Sequence, residues 1–357
     1  MSLKTKGLLN SLKELIGAFH IHSTYSDGSW EIPKIAEAAQ AVGLDFIVMT
    51  DHFTLKPRED GHEKFYGNTL VLIGYEISDH QDWNHYLVLD TDTYIPGGGR
   101  AFEYIDKVNE AGGIGIIAHP DEKRNTLKEY PPYPWTEWDC QGYQGIEIWN
   151  QLSEWMEGLT RANKFYRFIH PLKSTIAPTD EILKRWDEAN LSRKIIGIAG
   201  IDAHAFPYKI LGLFKTHIFH YKVMLKSLRN HLLIEEPWNR NDSEKARRNV
   251  YNAIRCGRLF FSNYRQGDAR GFRFEAESRG GTYTIGDEIT GETVKFKVKS
   301  PLLSKIRLIH NGHPVCERIG TTLEYRTFTP GIYRAEAYRN HRAWVFTNHI
   351  RFKRIVK

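Results

Sequence analysis

The stretch "GAFHIHSTYSDGSW", residues 17–30, places two histidines one residue apart and an aspartate five positions after the second. If the apolar residues before them form a β-strand, His20 and His22 project to the same face, because side chains alternate along a strand. Asp27 then lies in the loop after the strand. Converging imidazole and carboxylate groups are typical of a metal site, although two hydrogen-bonded surface histidines would show the same spacing.

This arrangement recurs along the chain up to about residue 205. Apolar runs such as "GLDFIVMTDH", "TLVLIGYEIS", "IGIIAHP" and "KIIGIAGIDAH" end in acidic or imidazole side chains and alternate with stretches of helical periodicity. In a parallel β/α barrel, the carboxyl ends of the strands meet on one face, which carries the active site. We therefore expect these residues to converge: His20, His22, Asp27, His52, Glu76, His85, His119, Asp202 and His204.

The nature of these donors indicates which ions they bind. They are nitrogen and oxygen ligands without thiolates, which suits zinc, manganese or iron. Nine such residues exceed what one tetrahedral ion can use. The sequence therefore predicts several divalent ions in a shared site.

Composition limits the class of protein. The chain has 357 residues, of which 41% are hydrophobic and 26% charged, as in a globular protein of two domains or of one barrel with an appendage. No apolar run approaches the roughly 20 residues that span a bilayer, and the start lacks a cleavable signal. Cys140, Cys256 and Cys316 are too far apart for a CxxC zinc site or a disulfide framework. We therefore expect a cytoplasmic protein without a membrane partner, and "LLNSLKELIGAF" predicts a short amphipathic helix.

The net charge of +6 favours anionic partners. The basic residues are scattered among acidic ones, however, which favours a solvated basic surface over a nucleic-acid interface. We expect nucleic acid only as a possible substrate.

The pattern changes after about residue 240. The stretch "NDSEKARRNVYNAIRCG" predicts a helix capped by Asp242 or Ser243 and ended by Gly257. Short alternating strands follow, with a hairpin turn at Asn311-Gly312. We place a boundary after residue 262, with a barrel in residues 1–262 and a C-terminal immunoglobulin-like β-sandwich in residues 263–357.

The motifs "HIHSTYSDG", "TDH", "GYEIS", "IAHP" and "GIDAH" resemble, in order, those of the PHP family, named for polymerase and histidinol phosphatase. The resemblance covers roughly residues 17–210. It implies an α/β fold built on a distorted, TIM-like (β/α)7 barrel with two or three divalent metal ions, and hydrolysis of phosphate esters. The "HPDEKRN", "GIEIWN" and "AIRCGRLFFS" segments and the sandwich are similar to a branch that includes carbamate hydrolases.

The resemblance also implies how the ligands are shared. Asp27 stands where some relatives have histidine, so occupancy of the third site and metal identity stay open. His85 is preferred to His80 because it immediately precedes an apolar run, as in the family pattern. Asp51, on the opposite face of its strand, is expected to orient a ligand histidine. The implied sets are His20, His22, Glu76 and Asp202 for the first ion, Glu76, His85 and His119 for the second, and Asp27, His52 and His204 for the third.

The favoured function is phosphoesterase activity on a small anionic substrate, with a hydroxide that bridges two metals as the nucleophile. Glu76, Asp202 and His204 are the expected catalytic residues, and Lys123 and Arg124 are candidates to bind the substrate.

Two other functions stay open. The same site would cleave a carboxylic ester, carbamate or amide if apolar groups such as Trp135, Trp138 and Trp149 formed the pocket wall. Alternatively, the protein is a non-catalytic metal-binding or nucleic-acid-binding protein.

Overall fold

The N-terminal part of the chain alternates strands and helices in a computed structural model that describes residues 12–123, 131–210 and 214–355. The strands are β1 (Lys13–Ile21), β2 (Phe46–Met49), β3 (Phe65–Tyr66), β4 (Thr69–Ile73), β5 (Tyr75–Ile77), β6 (Tyr86–Leu89), β7 (Ile114–Ile117), β8 (Gly145–Asn150) and β9 (Ile196–Ala203). The helices are α1 (Ile32–Ala41), α2 (Lys56–Glu59), α3 (Ala101–Glu110), α4 (Gln151–Glu157), α5 (Lys164–Ile169) and α6 (Asp180–Ser192), with a 3₁₀ turn at Pro171–Ser174.

These strands close into a ring. Strand β1 pairs in parallel with β2, and β2 with β4, which leads through Gly74 into β5. Strand β6 runs antiparallel to both β5 and β7, and parallel pairing then continues through β8 and β9 back to β1. The ring brings the ends of strands that are distant in sequence to one side of the fold.

Side-chain alternation divides the apolar residues of the ring into two cores. In β2, Phe46 and Val48 pack in one cluster, whereas Ile47 and Met49 pack in another that also contains Ile35 of α1. The period of two explains this division, since successive strand residues face opposite sides. The strands of the ring are therefore covered on both faces.

The C-terminal part is mainly β-structure. Its helices are α7 (Tyr221–Met224) and α8 (Ser243–Cys256), with a 3₁₀ turn at Tyr264–Gln266. Its strands are β10 (Phe206–Ile210), β11 (Phe214–Ile218), β12 (Leu228–Ile234), β13 (Leu259–Asn263), β14 (Arg273–Ser278), β15 (Gly281–Thr284), β16 (Glu288–Gly291), β17 (Val294–His310), β18 (His313–Thr327), β19 (Gly331–Arg339), β20 (Arg342–Thr347) and β21 (Ile350–Arg354).

Several local predictions are confirmed. The Asp242 carboxylate accepts the backbone N–H of Lys245 at 2.9 Å and caps α8, which ends at Gly257 with a φ of 69°. Asn311 and Gly312 turn β17 into β18 with φ values of 48° and 84°, as the mirror-image hairpin turn requires. Among the described residues, no helix is long and apolar enough to cross a bilayer.

The helix predicted for "LLNSLKELIGAF" is wrong from Lys13 onward, and residues 8–11 lie outside the described part. Residues 13–21 form β1, which is buried from Leu15 to its end. Pairing with β12, β2 and β9 outweighs the helical periodicity, because a short isolated helix is only marginally stable.

The two parts of the chain share a sheet. Strand β13 spans the predicted boundary between residues 262 and 263 and pairs with both β12 and β20. The strands from β14 onward also enclose a separate apolar cluster that includes Phe274, Phe296 and Trp344. The division into two domains stays a prediction.

A buried ion pair also joins the two parts. The Arg334 guanidinium of β19 donates through Nε and Nη2 to the two carboxylate oxygens of Asp187 in α6, at 2.7 and 2.8 Å. His349 Nε2 lies 2.6 Å from Asp187 Oδ1. Arg334 Nη1 also donates to Glu336 Oε1 at 2.5 Å. Because all these side chains are buried, loss of the Asp187 carboxylate removes one of the two carboxylates that balance the Arg334 cation.

We expect Asp187→Ala to lower the free energy of unfolding by about 3 kcal/mol, the scale for breaking a buried ion pair. The matched control is Glu188→Ala on the same helix, because within the described part of the chain Glu188 forms an exposed pair with Lys184. Its loss should cost less than about 1 kcal/mol. Urea unfolding measures both free energies. If the two variants lose equal stability, the buried pair does not contribute more than an exposed one.

Candidate metal centre

The candidate ligands occupy unusual backbone conformations at the strand ends. His20, His119 and Asp202 have φ values of 66°, 26° and 50°, in the left-handed region. His20 also coincides with a register shift in the pairing of β1 with β9. Each such residue costs on the order of 1–3 kcal/mol, and this kind of strain concentrates at functional sites.

The Glu76 carboxylate, 1% exposed, lies at the centre of the cluster. Its Oε2 lies 3.1 Å from His20 Nε2 and 3.3 Å from His22 Nε2. Its Oε1 lies 2.7 Å from His85 Nδ1 and 3.2 Å from His119 Nε2. Each oxygen therefore faces a different histidine pair, which is the arrangement that a carboxylate shared by two ions requires.

Asp202 completes the first of these groups. Its Oδ1 lies 3.6 Å from both His20 Nε2 and His22 Nε2. The carboxylates of Asp202 and Glu76 thus approach the same two ring nitrogens. These four residues surround one point.

A third group lies nearer the surface, where Asp27 is half-exposed. Its Oδ2 lies 3.2 Å from His204 Nε2, and its Oδ1 lies 3.8 Å from His52 Nε2. His22 Nδ1 is 3.7 Å from the same Oδ1, so the ring of His22 connects the third group to the first. The structure thus brings together all nine strand-end residues, and it leaves the alternative His80 exposed at the surface.

His22, whose ring connects the first and third groups, shows whether these residues fit metal ions. Neither ring nitrogen of the buried His22 makes a hydrogen bond within the described structure. Burial, together with the neighbouring charges of His204 and His52, lowers the pKa of His22 to about 3, so its ring is neutral. A buried lone pair beside carboxylates needs a cation or a donor, and the residues therefore fit divalent metal ions.

The surrounding charges are strongly coupled. Burial acts to raise the pKa of Glu76, but the charges of His20, His52 and His85 hold it well below its ordinary value. Burial acts to lower the pKa of His85, but Glu76 raises it to about 10. Protons on His20 and His85, whose pKa values are both raised, therefore balance the carboxylates when no metal is bound, and bound metal ions would displace them.

Glu147 supports the ligands directly. Its Oε1 lies 2.9 Å from His20 Nδ1, and its Oε2 accepts the backbone N–H of His119 at 2.7 Å and Asn150 Nδ2 at 2.9 Å. This carboxylate orients His20 so that Nε2 faces Glu76. Its position in the strand segment "GIEIWN" is a sequence signal for a residue near the site, but it does not predict this contact with His20.

Asp51 has a different partner from the one expected. Its carboxylate accepts the backbone N–H and Oγ–H of Ser23 at 2.6 and 2.7 Å, and the hydroxyl of Ser26 at 2.9 Å. Asp51 therefore fixes the loop that carries Asp27, and it is Glu147 that orients a histidine.

The site opens into a cavity of about 410 Å³. The candidate ligands in its lining are Asp27, His52, Glu76, His85, His119, Asp202 and His204. The apolar and aromatic groups are Phe53, Tyr133, Leu152 and Phe206, and a further carboxylate, Asp82, lies 3.5 Å from His85 Nε2.

The tryptophans suggested for the pocket wall lie elsewhere. Trp135 and Trp149 are buried in the core, and Trp138 packs against Arg185. Lys123 is exposed and pairs with Glu181 at 3.2 Å. Arg124 lies outside the described residues, and the substrate-binding role of these two cations stays a prediction.

Comparisons with known proteins agree with the motif analysis. Residues 18–112 match the PHP domain model. An uncharacterized protein from Methanocaldococcus jannaschii is 32% identical over 114 residues, which cover 28% of this chain and 65% of that protein. The resemblance to the PHP family is thus confirmed, whereas the carbamate hydrolase branch stays a prediction.

Solved structures show weaker similarity. A two-domain protein from Bacteroides vulgatus, containing a predicted PHP-like metal-dependent phosphoesterase, matches with a TM-score of 0.46 and 13% identity, covering 95% of this chain and 96% of that one. An amidohydrolase from Chromobacterium violaceum, with bound sulfate and no metal, matches with a TM-score of 0.32 and 13% identity. The match covers 53% of this chain and 87% of that one.

We expect Glu147→Gln to weaken metal binding by about 10- to 100-fold, the scale for removing a partner of a ligand histidine. The substitution preserves shape but removes the charge that orients His20. Competition with a chelator measures the affinity.

Glu154→Gln is the matched control, because Glu154 is a hydrogen-bonded carboxylate of the following helix, bound to Trp149, Ile176 and Ala177. It should leave the affinity unchanged. Wild-type metal affinity in Glu147→Gln would show that this carboxylate does not support the ligands.

Proposed function

We propose that the protein is a metal-dependent hydrolase that cleaves phosphate esters. The observation that carries this proposal is the buried Glu76, whose two oxygens face separate histidine pairs. Such a carboxylate suits two adjacent divalent ions, and two-metal sites are found in enzymes that hydrolyse phosphate esters, such as phosphatases and nucleases. The PHP domain match over residues 18–112 agrees with this chemistry.

The three groups of side chains described above correspond to three candidate ion sites. Zinc, manganese or iron suits these nitrogen and oxygen donors. When bound, the ions would lower the pKa of an attacking water and polarise the phosphoryl oxygens. The sets are His20, His22, Glu76 and Asp202 for the first ion, Glu76, His85 and His119 for the second, and Asp27, His52 and His204 for the third.

The chain's own groups hold this arrangement in place. The Tyr221 hydroxyl donates to the backbone carbonyl of His22 at 2.6 Å and approaches that of His204 at 3.1 Å. Asn150 Nδ2, which donates to Glu147, also lies 3.4 Å from Asp202 Oδ2. Glu76, Asp202 and His204 line the cavity, and we propose them as the catalytic residues.

The finer architecture belongs to the same proposal. The closed ring of strands supports a distorted (β/α)7 TIM-like barrel in residues 1–262, and the separate apolar cluster supports an immunoglobulin-like sandwich in residues 263–357. Cys140, Cys256 and Cys316 are free thiols, which fits a cytoplasmic location.

The alternative substrate class is a carboxylic ester, carbamate or amide. The apolar part of the cavity wall favours it, since Phe53, Leu152 and Phe206 would accommodate a neutral substrate. Among the described residues that line the cavity, none is lysine or arginine.

We expect the purified protein to contain at least two divalent ions per chain, measured by elemental analysis. Glu76→Gln should reduce the metal content and abolish hydrolysis, because one carboxylate serves two ligand groups. Glu154→Gln, with its carboxylate outside the cluster, should retain both. A metal-free wild-type protein that cannot be reconstituted would overturn the proposal.

A substrate screen separates the two classes. We expect manganese- or zinc-loaded protein to hydrolyse phosphomonoesters or phosphodiesters, with inorganic phosphate as a competitive inhibitor, because phosphate is attracted to the same cations. Turnover of carboxylic esters or carbamates without any phosphate ester would favour the alternative.

A further inference from the structure

Each aromatic ring of the cavity wall packs against a candidate ligand histidine. Phe206 stacks on His204 with ring centroids 4.9 Å apart and planes inclined by 10°. Tyr133 lies 5.0 Å from the His85 ring, inclined by 33°. The third ring, that of Phe53, lies 6.2 Å from His52 at 28°. These three rings, which we call the aromatic wall, therefore adjoin the ligand cluster directly.

Phe53 combines two unfavourable features. Its side chain is 44% exposed, although it is large and apolar. Its φ of 52° lies in the left-handed region, which bulky residues rarely adopt. The backbone N–H of Phe53 donates to the Glu76 carbonyl at 2.8 Å and holds this conformation. An exposed ring on a strained backbone, beside the candidate ligand cluster, points to a binding role.

The glycine-rich loop "PGGGR" packs against the same ring. A Cβ at Gly97 would lie 2.6 Å from the Ser78 carbonyl oxygen and 3.0 Å from Phe53 Cε1. Only glycine therefore allows this close approach without displacement of its neighbours. The loop supports Phe53 from one side, while the ring still lines the cavity.

We infer that the aromatic wall binds a flat, apolar leaving group, so that the preferred substrates are small esters of aromatic or arylalkyl alcohols, with Phe53 determining this specificity. The inference rests on the proposed function. A cavity of about 410 Å³ has the size of a small-molecule site. An ester whose phosphate lies at the ligand cluster places its organic group against Phe53, Phe206 and Leu152.

The reaction needs no further reactant. The oxygen of water forms the new bond to phosphorus, and the bond between phosphorus and the ester oxygen breaks. A proton from that water leaves with the alcohol, and inorganic phosphate is the second product. The aromatic wall contributes binding energy through ring contacts, which are worth about 0.5–1.5 kcal/mol for each aromatic pair.

The test compares benzyl phosphate with n-butyl phosphate, because both release a primary alcohol and differ mainly in the ring. We expect metal-loaded wild-type protein to favour the benzyl ester in kcat/KM by roughly tenfold, the effect of about 1.4 kcal/mol. Phe53→Ala should remove most of this preference, and Phe53→Leu, which keeps an apolar side chain, should retain part of it.

Phe102→Ala is the matched control, since Phe102 is 42% exposed and lies outside the cavity lining. The preference should be unchanged in this variant. If Phe53→Ala lowers kcat/KM equally for both esters and also reduces the metal content, the ring only supports His52. That result would overturn the inference.

A binding measurement keeps this test separate from the proposed function. Benzylphosphonate should bind the metal-loaded protein more tightly than n-butylphosphonate in calorimetric titrations. Phe53→Ala should reduce the difference in affinity between the two phosphonates. If no phosphate ester is hydrolysed, the proposed function is wrong. The relative affinities of the two phosphonates still test the inference in that case. Equal affinities of wild-type protein for the two phosphonates would overturn it.

Discussion

The buried charge of Glu76 is the constraint around which the fold is organised. Ring nitrogens of five histidines, His20, His22, His52, His85 and His119, lie within 3.6 Å of its carboxylate oxygens. Burial of an uncompensated carboxylate costs several kcal/mol. The compensating groups come from strand ends that only closure of the ring brings together, so the energetics of the site and of the barrel cannot be separated.

Much of this centre is predictable from the sequence because its signals are local. An apolar run that ends in "TDH" or "IAHP" shows both a strand and the residue at its exit, and the barrel rule then predicts convergence. The pairing of β1 and the contact of Glu147 with His20 depend on residues more than a hundred positions apart. Periodicity alone could not predict these contacts.

The aromatic wall escaped prediction for a related reason. The sequence predicts a wall of tryptophans because they lie near the candidate ligands along the chain, yet Trp135 and Trp149 pack into the core. Phe53 reaches the cavity through a left-handed backbone conformation that no propensity of phenylalanine indicates. His20 likewise departs from regular strand geometry, although simple alternation along β1 predicts the face on which it lies.

Strand β1 belongs to two sheets, and this has a consequence for how the chain reaches its folded state. Its first half pairs with β12, as in Lys13 with Ile234, while its second half pairs with β9, as in Phe19 with Gly200. Contacts of such long sequence separation carry a large loop-closure entropy and form slowly. During synthesis, β1 acquires all its partners only after residue 234 has emerged. His20 and His22 are therefore among the first candidate ligands to be made and among the last to be fixed in place.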